Sequence, residues 1–172
     1  MIKHADNRSW WSQLLLVPLV IVALLLLPLM AMGYALWHFG LLASIWTFWC
    51  AKGRKVLFAY SESPNWQEYV EQNILPRLGD SAVILNWSYR AKWSHSLAVL
   101  AFQHWGGTED FNPLGVIFRP FKRTKVFRFH QAFLHFKHGK SADLEKMEAE
   151  FLTLVGSTGG TYRLNEPGQT TP

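Results

Sequence analysis

Cysteine is almost missing from this 172-residue chain, which has one, Cys50. A single thiol excludes an intrachain disulfide, a CxxC redox pair and a cysteine-built zinc site. Charge is missing from one long stretch: Gln13 to Cys50 contains no Asp, Glu, Lys or Arg. Acidic residues are scarce elsewhere too, 12 against 17 Lys and Arg, which gives a formal net charge of +5. There is no GxGxxG and no P-loop, so nothing points to a nucleotide, and no other cofactor is expected.

The charge-free run is the first positive feature. "LLLVPLVIVALLLLPLMAM", Leu14 to Met32, is long enough to cross about 30 Å of hydrocarbon as a helix. Prolines such as Pro18 and Pro28 are tolerated in such helices. "AMG", Ala31 to Gly33, is a poor cleavage site after so long an apolar core, so the run reads as an uncleaved anchor rather than a signal peptide. "YALWHFGLLASIWTFWC", Tyr34 to Cys50, is apolar all round and short for a second crossing. Two geometries are open for residues 12–50: one span with an interfacial continuation, or a hairpin turning near Gly33 to Gly40. Trp10 and Trp11, Tyr34 and Trp37, and Trp46 and Trp49 make three aromatic groups, which fits the hairpin slightly better. Lys3 and Arg8 precede the run; Lys52, Arg54 and Lys55 follow it. The excess of positive charge after the run predicts a membrane protein whose following domain is cytoplasmic, and the hairpin would leave it there.

Removing the flank 1–11, the apolar segment and a Gly/Thr/Pro-rich tail, 157–172, leaves residues 51–156, the size of one domain. Within it, 55–61 and 81–88 are apolar runs of strand length. Residues 113–121 and 124–131 read as a β-hairpin, because their connection is too short for a parallel crossover. Trp66, Val70, Ile74 and Leu78 recur at helical spacing, with Pro76 ending or kinking that helix. Residues 94–107 and 141–155 are two further helices, the last with Leu144, Met147, Phe151 and Leu154 on one face. The two early strand-helix-strand units predict parallel pairing.

That order resembles the thioredoxin-like fold over about residues 55 to 155. In the family, a WCGPC motif follows the first strand. Laid on "VLFAYSESPNWQ", its two cysteines fall near Pro64 and Gln67, so the usual thiol-disulfide exchange is excluded. The family also carries a cis-proline before its third strand, and "FNPLGVIF" puts Pro113 there. The fold class expected is therefore α/β: a thioredoxin-like four-stranded mixed sheet with flanking helices, preceded by a transmembrane helix or helical hairpin. The resemblance implies a groove for a protein or extended peptide, with Ser61, Ser63, Asn65, Trp66, Asn112 and Pro113 as candidate residues. A second implication is a glutathione-binding or transferase-like enzyme, with Tyr60, Ser61 or Ser63 acting on the thiol. The helical second domain of such enzymes is missing. From the residues alone, Ser63 or Asn65 would cap the helix and Pro64 would start it.

Two basic groups complete the reading: Lys52, Arg54 and Lys55, and a block containing Lys122, Arg123 and Lys125 with no acidic residue inside it. Both read as solvated loops near a membrane surface, where such basic segments would favour anionic lipid head groups. "KRTKVFRF" also has the basic-aromatic mix of RNA binders, but a hairpin beside a membrane shows the same mix, and nucleic acid is not favoured. His130, His135 and His138 lack a convincing further ligand, so no metal is expected. Trp87, Trp93 and Trp105 read as packing aromatics.

Overall fold

In a computed structural model of the chain, residues 10–108 and 112–158 are described. The chain forms two compact units, one up to Leu42 and one from Ala43.

Helix α1 runs Trp10–Phe48, 39 residues without a break. It is the one helix among the described residues long and apolar enough to cross a membrane, and no residue from Val20 to Gly40 is buried. The turn considered near Gly33 to Gly40 does not form. An isolated glycine costs a helix only about 1 kcal/mol, and no proline or other turn-forming residue stands between the two.

The second unit holds a four-stranded mixed sheet. Strand β1 is Val56–Tyr60, β2 Ala82–Asn86, β3 Leu114–Ile117 and β4 Lys125–Arg128, in the order β2-β1-β3-β4. Strand β2 lies parallel to β1; β3 is antiparallel to β1, and β4 to β3. The first strand-helix-strand unit is thus parallel as expected, but the second is not. Asn86 ends β2 opposite Tyr60, and Leu114 starts β3 opposite Ala59, so the connection leaves and returns at the same end of the sheet. It holds a 3₁₀ segment, Trp87–Lys92, before helix α3, Leu97–Gly106, and carries the chain across β1 to its other side.

Helix α2 is three consecutive pieces, Gln67–Tyr69, a π turn Val70–Ile74, and Leu75–Leu78. The cause is Pro76, whose ring would strike the carbonyl four residues back and which has no N–H to offer it; one wider turn relieves both. Helix α4, His130–Lys137, occupies residues read partly as strand, and β4 stops at Arg128. Helix α5 is Ala142–Thr158, so Ser157 and Thr158 are helical; the rest of the tail, 159–172, lies outside the described residues.

Strand β1 is buried along its whole length because both faces are covered. Val56, Phe58 and Tyr60 join Trp66, Val70 and Ile74 of the α2 region with Phe133, Leu144 and Phe151 in one core. Leu57 and Ala59 point the other way, toward α3. There Trp87 and Trp93 each meet Phe102, and Trp105 and Trp49 meet Phe118, with rings tilted or edge-on, so Trp87, Trp93 and Trp105 are packing residues.

Candidate functional site

The segment Ser61–Trp66 leaves the C-terminal end of β1, and the Asn112–Pro113 loop feeds β3. Because Ala59 is in register with Leu114, Pro113 falls beside Tyr60, and the two loops are neighbours. The Asn112–Pro113 bond is cis. Pro113 is buried, and its carbonyl accepts from Phe129 N at 2.9 Å. Asn112 Oδ1 is buried with no donor in reach among the described residues.

Four residues of "SESPNW" hold the segment in place. Ser61 Oγ accepts from Trp66 Nε1 at 3.3 Å. Glu62 ties the segment to β2: its N–H donates to Ser88 Oγ at 2.9 Å, and its carboxylate accepts from Asn86 Nδ2 at 3.1 Å. The Ser63 carbonyl accepts from Trp66 N and Gln67 N, whereas its hydroxyl takes only a 3.4 Å bond from Asn65 N. The capping expectation therefore needs correction. Trp66 itself holds the N-cap position with no side-chain bond, and the turn is closed by the Ser63 backbone. Trp66 is turned inward and buried, its ring against His130 and Phe133.

The hydroxyls at this junction are engaged. Tyr60 donates to Glu71 Oε1 at 3.2 Å, and burial, followed by that bond, raises its pKa. A phenol so held is a poorer acid than usual.

A cleft of about 250 Å³ adjoins the junction, walled by Pro64, Asn65, Trp66, Tyr69 and Phe136. A larger one, about 550 Å³, lies elsewhere, between β4 and helices α4 and α5. Its polar walls answer one another: Lys125 pairs with Glu150, and His135 Nδ1 lies 2.7 Å from Asp143 Oδ2. Arg128 and Lys146 also line it, and Arg128 Nη1 donates to the Gly106 carbonyl at 2.6 Å. No group of three or more metal-ligating side chains occurs among the described residues.

The basic candidates divide. Lys125 is taken up by Glu150 and the face of Phe127. Lys122 and Arg123 stand exposed in the β3–β4 turn. Lys55 shares their end of the sheet, since its carbonyl accepts from Phe118 N at 2.8 Å, just before that turn. Sequence reasoning missed Phe121, which is 91% exposed, and the contact of His130 with Trp66. Helical spacing of Phe129, Ala132 and Phe133 was the available signal for the second.

No protein-family model, curated protein or solved structure matches this chain. What the structure defines is a class: an α/β domain with a four-stranded mixed sheet and flanking helices, behind a long apolar N-terminal helix.

Proposed function

We propose that this protein is a membrane-anchored, redox-inactive thioredoxin-like domain that binds a protein partner through an extended segment. The observation that carries the reading is the register of β1 and β3, which brings the Ser61–Trp66 junction beside Pro113. Strand order β2-β1-β3-β4 and a proline leading into β3 support the thioredoxin-like assignment. Asn112 Oδ1, buried and without a partner among the described residues, supports a peptide ligand, because buried acceptors are normally satisfied and a backbone N–H would satisfy this one. The lone Cys50, far in sequence from the junction, leaves no dithiol for redox chemistry. No observation favours the transferase-like alternative, and the engaged hydroxyls of Tyr60 and Ser61 weigh against it.

The anchor reading rests on α1. Val20 to Gly40, without a buried residue, measures about 31 Å at the rise of a helix, the thickness of a bilayer core. Lys52, Arg54 and Lys55, directly after the apolar helix, support a cytoplasmic side for the domain.

The test uses the full chain in lipid nanodiscs. Phage-displayed peptides are panned against it, and the enriched ones mapped by NMR. Shifts are expected at Ser61–Trp66 and Asn112–Pro113, with Asn112→Ala weakening binding while the melting temperature holds. Enrichment of nothing, or shifts confined to other faces, would remove the reading.

A further inference from the structure

The β3–β4 turn, residues 119–124, breaks two rules at one residue. Phe121 has φ +60°, the left-handed region that a bulky side chain avoids, and it is the only non-glycine with positive φ among the described residues. It is also the most exposed large apolar side chain among them. A glycine would relieve the backbone and a polar residue would suit water, yet the position holds an aromatic ring. Such an outlier points to use by something outside the folded chain.

The surroundings say what that is. The Phe121 ring meets Trp46, near the end of α1, at 5.3 Å between centroids. Phe48, two residues on, is 61% exposed. Lys122 and Arg123 follow Phe121 directly, and Arg119 Nη2 donates to the Arg123 carbonyl at 2.9 Å, which clamps the turn. Lys52 and Arg54 follow α1, and the tie from Phe118 to Lys55 brings their segment to the same sheet end. An apolar ring in a collar of cations, beside a tryptophan at the end of an apolar helix, has the composition of a surface that enters a bilayer interface.

We propose that the β3–β4 turn is a second membrane contact: Phe121 enters the headgroup layer while Lys122 and Arg123 bind anionic phospholipid. This rests on the reading of α1 as a membrane anchor. The turn would fix the domain's orientation on the bilayer, which one tether alone leaves free to swivel.

The test is made on the full chain with Cys50→Ser and a fluorophore on Pro120→Cys, adjacent to the intact Phe121. A control carries the fluorophore on Ala91→Cys, exposed and just beyond β2 at the opposite end of the sheet. Each is reconstituted into vesicles of phosphatidylcholine, with or without phosphatidylserine, containing nitroxide-labelled lipid. Quenching is expected at 120 and not at 91, and more strongly with phosphatidylserine. Lys122→Glu with Arg123→Glu should lower membrane occupancy at 120 by at least about tenfold, since each cation near an anionic surface is worth about fivefold. Phe121→Gly, which the backbone accepts, should reduce quenching without lowering the melting temperature. Quenching at 120 no greater than at 91, or indifferent to phosphatidylserine and to charge reversal, overturns the inference. Release of the whole chain by alkaline carbonate instead overturns the anchor reading.

Discussion

At the residue scale, the two serines of the junction differ in what their loss would expose. Ser61 Oγ is the acceptor for the indole N–H of a buried tryptophan, and Ser63 Oγ makes one long bond to the amide of half-buried Asn65. Ser61→Ala leaves a buried donor unanswered and is expected to cost about 1–3 kcal/mol; Ser63→Ala should cost under about 1 kcal/mol. Denaturation of both variants in detergent checks the order, and equal losses would contradict it. Tyr69 gives a pH-dependent counterpart. Burial first, and then the 2.6 Å bond to Glu148 Oε2, push its pKa up to about 12 from an ordinary 10.0. Between those values the unfolded chain has lost a proton that the folded chain keeps. Its stabilising effect is therefore complete below pH 10 and fades as pH rises toward about 12. Tyr69→Phe should be less stable than wild type below pH 10, with the gap narrowing above it. A gap that stays constant to pH 12 would rule the coupling out.

At the element scale, β3 and α5 meet where only glycine fits. A Cβ on Gly115 would stand 2.6 Å from Phe151 Cε2. That ring cannot swing aside, being fully buried and within 6 Å of the rings of Phe58, Phe127 and Phe129. Gly115→Ala is expected to cost about 1–3 kcal/mol, and adding Phe151→Leu should cost less than the two single changes summed. Strict additivity of the two in urea melts would show that they do not touch. The sequence announced β3 as a strand, and Leu144 and Phe151 as one helix face, because periodicity is local. It could not announce the glycine's purpose, because the atom that demands it lies 36 positions away in the chain. The same distinction explains the rest. Trp66 was legible as inward-facing from its spacing with Val70 and Ile74, and Pro76 announced its disturbance of α2. The direction of β3 was not legible, since it depends on where a 3₁₀ segment and a short helix deliver the chain. Nor was the start of helix α4, since Phe129 continues the alternation of β4 up to His130, where the helix begins.

At the scale of the whole molecule, the ends of β1 separate two kinds of surface. Lys55, directly before β1, lies by the basic β3–β4 turn, and Tyr60, at its other end, leads into the junction beside Pro113. Five strand residues are about 16 Å, so if the basic end rests on a bilayer as proposed, the junction at the other end would stand clear of the headgroups, where the proposed partner could reach it. This arrangement needs α1 to be embedded and the domain to lie on the side favoured by its cations. In membrane vesicles or intact cells, the full chain should stay with the membrane through alkaline carbonate, because α1 offers no charged residue between Gln13 and Phe48 to draw it into water. External protease should leave the domain uncut until the membrane is permeabilised. Moving the charge bias, with Lys52, Arg54 and Lys55 changed to Gln and cations added before Trp10, should shift part of the population to the protease-sensitive orientation. Digestion of the wild-type domain in sealed cells would invert the assigned side while leaving the anchor intact. Release by carbonate would remove the anchor itself, and with it the reason for a basic end beside an apolar helix.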